Sequence, residues 1–125
     1  MSEYTWDHLQ LRSPDPELTA AWFERCLNAE IIRKPGKVDI RLAGINIFIA
    51  PVTEGDGVAP PPLPPYQGLD HFGLTVDNLD ETAAELKSKG VEFTQEPIAI
   101  RPGVRGCFIR GPQNISIEIL ERRLS

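Results

Sequence analysis

The chain has 125 residues, 41% hydrophobic and 25% charged, which suits one globular domain around a single core and argues against a disordered chain. Its net charge is −5 and its arginines are scattered, with only Arg122 and Arg123 adjacent near the end, so no electrostatic footprint for a nucleic-acid partner is present. No apolar run approaches the roughly 20 residues of a membrane span, and the first residues lack the basic and apolar regions of a signal peptide; the expectation is a soluble, cytoplasmic protein with no membrane partner.

Residues 4–12 alternate in the manner of a strand, with Trp6, His8 and Gln10 on one face and Asp7, Leu9 and Leu11 on the other. Ser13, Pro14, Asp15 and Pro16 read as a turn and helix start. A helix is expected over 17–27, where Leu18, Ala21, Trp22 and Cys26 recur at helical spacing. Three short strands follow near 30–33, 37–42 and 45–50, separated by the Pro35-Gly36 and Ala43-Gly44 turns.

Residues 52–67 hold Gly55, Gly57 and five prolines, Pro60, Pro61, Pro62, Pro64 and Pro65. Such a stretch cannot enter a sheet and favours a stiff, extended connector over a proline-recognition motif, because nothing else suggests a signalling ligand. Beyond it, 69–76 read as a strand and 79–89 as a helix that Asn78 caps and Gly90 stops. Residues 91–93, 104–110 and 115–120 read as strands, with turns at Arg101-Pro102-Gly103 and Gly111-Pro112-Gln113-Asn114.

The order strand, helix and three strands therefore occurs twice, and the two copies share residues at one fixed offset. Asp7 and His8 match Asp70 and His71, Leu11 matches Leu74, and Thr19-Ala20-Ala21 matches Thr82-Ala83-Ala84. An offset held across a strand and a helix is the mark of an internal repeat. The expectation is one α+β domain over 1–125, with module one about 4–51, a linker about 52–67 and module two about 68–121.

Two βαβββ modules, a histidine on the first strand of each, and a glutamate within Asn114-Ile115-Ser116-Ile117-Glu118-Ile119-Leu120 resemble the vicinal oxygen chelate superfamily. That family includes glyoxalase I, methylmalonyl-CoA epimerase, fosfomycin resistance enzymes, extradiol dioxygenases and bleomycin resistance proteins. The resemblance covers nearly the whole chain and is strongest over residues 68–80. It implies a cup-shaped mixed sheet around a divalent metal, Fe, Mn, Co, Ni or Zn, that is held by side chains of the first and last strand of each module. It also implies a homodimer, with modules paired inside one chain or exchanged between chains.

Carried onto this chain, the resemblance makes His8, His71 and Glu118 metal ligands, with Glu118 also the catalytic carboxylate. The fourth ligand position falls on Phe48, which cannot bind a metal. Asn46 is the other ligand-capable side chain on that face, and Glu54, after Pro51, is a weak reserve. Two imidazoles and one carboxylate match the facial triad of non-haem Fe(II), a set that Mn, Co, Ni or Zn also accept. A lone strand histidine is more often a hydrogen-bonded structural residue. Two at matched positions, with a glutamate among Ile115, Ile117 and Ile119, favour a metal.

Asp7 and Asp70 fall on the opposite strand face by alternation and read as helix-end or turn partners. Phe48, Trp6 and Phe108 are candidates for lining a substrate pocket, although core packing explains them equally well. Arg41, Arg101, Arg105 and Arg110 read mainly as solvated charges; Arg105, beside a glycine, is the preferred contact for an anionic substrate. Cys26 and Cys107, with no paired-motif spacing, read as buried free thiols.

The function expected is a metal-dependent enzyme that chelates a small, vicinally oxygenated substrate, with lyase or isomerase/epimerase chemistry of glyoxalase type. The alternatives are an extradiol-type dioxygenase, a fosfomycin-type transferase and a non-catalytic binding or resistance protein. Glyoxalase I and the epimerase are expected to carry an acid or amide where this chain has Phe48. The common dioxygenases have more modules, no phosphonate-binding loop is evident, and the resistance proteins generally lack the metal ligands.

Overall fold

The computed structural model describes residues 1–123, so the last two residues of the expected domain lie outside it. The chain divides into two compact units, Met1–Ala59 and Pro60–Ser125, and the division falls within the proline-rich stretch. Each unit contains a four-stranded mixed sheet and one helix, an α+β arrangement of the βαβββ order expected.

In the first unit β1 (His8–Ser13) is followed by α1 (Pro16–Leu27), β2 (Glu30–Lys34), β3 (Lys37–Leu42) and β4 (Ile45–Pro51). The sheet order is β1-β4-β3-β2, with β1 parallel to β4 and the other pairs antiparallel. The second unit repeats this with β5 (Phe72–Thr75), α2 (Leu79–Ser88), β6 (Glu92–Arg101), β7 (Val104–Arg110) and β8 (Ser116–Arg122), in the order β5-β8-β7-β6. A single 3-10 turn, Pro112–Asn114, fills the expected turn before β8.

Helix α1 starts where Asp15 accepts the Leu18 N–H on its side chain at 3.0 Å and Pro16 supplies a first residue that has no N–H to satisfy. Its core face differs from the expected stripe: Thr19, Ala20, Phe23 and Cys26 are buried, while Leu18 is 69% exposed and Ala21 is exposed. Apolar residues surround this helix, so the stripe is ambiguous in sequence. A buried hydrogen bond between the Ser13 and Thr19 hydroxyls, 2.7 Å, accompanies the face turned inward. Phe23 then joins Ile40, Ile47 and Ile49, all nearly inaccessible to solvent, in the core of this unit. Each such side chain contributes roughly 1.5–3 kcal/mol through burial.

Helix α2 begins with Asn78 accepting the Glu81 N–H at 3.0 Å and ends at Lys89, followed by Gly90 at a φ of +77°. The caps read from the sequence are therefore present. Leu79, Ala83 and Leu86 are buried on the helix, as are Val104, Cys107, Ile109, Ile117 and Ile119 on the sheet.

Three strand boundaries move. The strands expected at 4–12 and 69–76 begin only at His8 and Phe72, where their parallel partners β4 and β8 become available. The strand expected at 91–93 runs instead through Glu92–Arg101, pairing with β7 through register shifts. As the outer strand of its sheet it accommodates Pro97 and a polar run, which mask it in sequence.

Candidate metal centre

Strand alternation divides β8 into two faces. Ile117, Ile119 and Glu121 are buried on one, and Ser116, Glu118 and Leu120 occupy the other. The parallel ladder sets Gly73 against Glu118, which puts His71, just before β5, at the diagonal place beside that carboxylate. His71 Nε2 lies 3.4 Å from Glu118 Oε1, and the two side chains are 31% and 16% exposed. Phe108 faces Glu118 across the β7–β8 ladder and meets the His71 ring edge-on, centroids 4.9 Å apart. A histidine, a glutamate and a phenylalanine from three segments thus share one partly open face.

Two local features of this face were not drawn from the sequence. Gly73 leaves the flank of Glu118 open, because even a Cβ there would approach Oε1 to 3.6 Å; its signal is a glycine inside an otherwise well-formed strand. The other feature corrects the turn or helix-end roles expected of the aspartates. Asp70 Oδ2 is 2.7 Å from His71 Nδ1, and Asp7 Oδ2 is 2.6 Å from His8 Nδ1. Both aspartates precede their strands, so strict alternation does not govern where their carboxylates turn.

In the first unit the β1–β4 ladder pairs Gln10 with Phe48, which gives Phe48 the diagonal place beside His8 that Glu118 takes beside His71. The His8 and Phe48 rings stack, with centroids 4.2 Å apart and planes at 21°. Lys37 Nζ lies over the same phenyl ring at 4.4 Å and pairs with buried Asp39 at 3.3 Å. Asn46 is directly across from His8 in the ladder, whereas Glu54 is exposed in the turn after β4. Gln10, Lys37 and Phe48 help to line an open groove of about 880 Å³.

The remaining candidates have other surroundings. Trp6 is 68% exposed ahead of β1. Arg105 lies on the helix-side face of the second sheet, opposite the face of Glu118, and grips Asp80 with two hydrogen bonds of 3.0 Å. That pairing holds the Asp80 carboxyl below its ordinary range. On the same face Glu121 accepts the Leu79 N–H at 3.0 Å, and Arg123 beside it holds its carboxyl low as well. Cys107 is fully buried, and burial pushes its thiol up to about 11.

A divalent ion fits the His71–Glu118 pair. An ionised carboxylate only accepts hydrogen bonds, so Asp70 accepts from His71 Nδ1–H, and in the neutral form of the ring Nε2, the nitrogen nearer Glu118, is the one that can bind an ion. Two donors each about 2.1 Å from one ion, at angles between octahedral and tetrahedral, lie about 3.0–3.4 Å apart. The observed separation of 3.4 Å falls at the end of that span. Among the described residues no group of three or more His, Cys, Asp or Glu side chains is close enough to hold an ion, so the pair is a partial set. Among the same residues no helix is long and apolar enough to cross a membrane.

Comparison with known proteins agrees with this architecture. The chain is 26% identical over 124 residues to a probable chloroplastic lactoylglutathione lyase of Arabidopsis thaliana, a match that covers 92% of this chain and 35% of the plant protein. It therefore spans about a third of the length of that relative. A fosfomycin resistance protein, FosX, of Listeria monocytogenes has the same fold at a TM-score of 0.75 and 22% identity, covering 98% of this chain and 97% of that one. A putative glyoxalase family protein from Bacillus anthracis matches at 0.69 and 24% identity, covering 98% and 100%. FosX is also known in complex with Mn(II) and sulfate. Residues 5–119 match the family model, so the chain belongs to the glyoxalase/bleomycin resistance protein/dioxygenase superfamily.

Proposed function

We propose that this protein is a metal-dependent enzyme that binds a small substrate through two neighbouring oxygens and carries out lyase or isomerase chemistry of glyoxalase type. The observation that supports this most directly is the approach of His71 Nε2 to Glu118 Oε1, an imidazole and a carboxylate sharing one accessible face. His8 is the proposed third ligand, supplied by the same chain or by a second copy in a homodimer. The ion, one of Fe, Mn, Co, Ni or Zn, supplies Lewis acidity toward a carbonyl or enolate oxygen when bound.

The chain's own groups divide the remaining work. His71, held at Nδ1 by Asp70, offers Nε2 as a neutral donor. Glu118 balances the positive charge of the centre and is the proposed carboxylate that exchanges a proton with the substrate. Phe108 presses on the His71 ring and, with Phe48 and Trp6, is proposed to give the substrate an apolar wall. Arg105 is committed to Asp80 in this structure. The cytoplasm is the proposed location.

A second reading, a fosfomycin-type transferase, is favoured by one observation: Phe48 stands at the ladder place equivalent to Glu118, which leaves the proposed His-His-Glu set without a fourth protein ligand.

Metal content by mass spectrometry tests the common core. Wild-type protein loaded with Mn(II) or Zn(II) is expected to retain one equivalent, and His8→Ala, His71→Ala and Glu118→Ala are each expected to lose it. Unchanged content in all three ends the proposal. Activity that persists without dioxygen separates proton transfer from oxidative ring cleavage, which consumes it.

A further inference from the structure

We infer that Asp70 and Asp7 are positioning residues that fix the tautomer and ring orientation of His71 and His8, so that each imidazole presents an unprotonated Nε2. The inference rests on the proposal that these histidines are ligands. It adds two residues to that site and a reason for the sequence pairing Asp-His in both halves of the chain.

The geometry supports it from both units independently. In each, the carboxylate lies within short hydrogen-bond distance of Nδ1, 2.6 Å in the first and 2.7 Å in the second. A carboxylate can accept there but not donate, so the neutral ring carries its hydrogen on Nδ1 and its lone pair on Nε2. In the second unit Nε2 lies 3.4 Å from Glu118 Oε1. Each ring is held a second time by a phenylalanine. Phe48 lies flat against His8, and Phe108 meets His71 on its edge. One contact through Nδ1 and one through the ring carbons leave little freedom about the two side-chain torsions of histidine.

The two carboxylates are themselves exposed, 87% for Asp7 and 64% for Asp70, so the hydrogen bonds add little to folding stability. Their value is in what they orient. A hydrogen-bonded carboxylate on the far nitrogen also makes the ligating nitrogen a better electron donor, and losing such a partner typically weakens metal affinity about 10–100-fold.

Two measurements test this, the first without any metal. In the apo protein, above the pH at which the rings titrate, long-range 1H–15N spectra are expected to show His71 and His8 protonated on Nδ1 in the wild type. Asp70→Ala is expected to abolish that preference at His71 alone, and Asp7→Ala at His8 alone. A ring protonated on Nε2 in the wild type, or an unchanged tautomer in the variants, overturns the inference. The second is calorimetric titration with Mn(II) or Zn(II). Asp70→Ala is expected to bind about 10–100-fold more weakly than wild type, with Asp70→Asn closer to wild type because its amide oxygen still accepts from Nδ1. If His71→Ala abolishes binding while Asp70→Ala binds as wild type, the positioning role fails and the metal proposal stands. If the wild type itself binds no ion, the metal proposal and the service to it fall together, and the tautomer spectra still decide whether the aspartates set the rings.

Discussion

Phe48 stacks on His8 with ring centroids 4.2 Å apart, in the ladder place that Glu118 occupies beside His71. The exchange extends one strand further. Asp39 faces Phe48 across the β3–β4 ladder, and Phe108 faces Glu118 across β7–β8, so the acidic and aromatic places are swapped between the units. Each histidine keeps one phenyl neighbour, but only in the second unit does the carboxylate stand beside the histidine. Asp39 is buried and turned to the Ile49 N–H, 3.0 Å away.

Phe48→Ala is expected to lower stability by about 1–2 kcal/mol, less than the 3–5 kcal/mol of a fully buried phenylalanine, because Phe48 is only half-buried. The same variant frees the His8 ring. Denaturant unfolding measures the first effect, and line broadening of the His8 ring resonances reports the second. A loss as large as that of a core residue would assign Phe48 to the core of its unit.

Asp39 separates a hydrogen bond from an ion pair. Asp39→Ala strands the buried Ile49 N–H and is expected to cost about 1–3 kcal/mol, whereas Asp39→Asn keeps an acceptor and forfeits only the pairing with half-exposed Lys37, under about 1 kcal/mol. Equal losses in the two variants, read from urea midpoints, would show that the charge of Asp39 matters more than its oxygen.

The acid limb of stability is expected to report Glu121. The Arg123 hydrogen bond and the Leu79 N–H hold its carboxyl below the ordinary 4.5 in the folded chain. Its contribution is therefore complete above the unfolded value and disappears as pH falls through the folded value. Glu121→Gln removes the charge at every pH, so the gap in Tm between wild type and variant should be widest near neutrality and close in acid. A gap that does not vary with pH would leave packing as the whole role.

The two thiols are expected to be unreactive in the native state. Cys107 is fully buried with its thiol pushed up to about 11, and Cys26 is 4% exposed. Thiolate, the reactive form, is scarce at neutral pH for such a group. A chromogenic disulfide reagent should find no thiol at neutral pH before denaturation and both after it; rapid native reaction would reveal local opening of the β7 or α1 segment.

Most of this fold can be read from the chain because it is written twice. The element order follows from the repeat, the Asn78 cap and the Gly90 stop from the residues at the helix ends, and the match of Phe48 to Glu118 from aligning the last strands of the two modules, as the resemblance implies. The failures have physical sources. Helix α1 is apolar on several sides, so the inward face of Thr19, Ala20 and Phe23 cannot be chosen by periodicity alone. Edge strand β6 carries polar residues and a proline because one of its sides has no partner strand. The Asp70–His71 contact joins adjacent residues at the mouth of a strand, where alternation is the wrong guide and only the local backbone decides.

Strand β8 carries two carboxylates three positions apart, an odd spacing that sends Glu118 to one side of the sheet and Glu121 to the other. The proposed site and the scaffold are thereby insulated from each other within a single strand. Selection can rewrite the residue at 118 without loosening the helix moored by 121. The insulation has a weak point in insertions and deletions: one residue gained or lost between them would place both acids on the same side and cost the protein its mooring or its site.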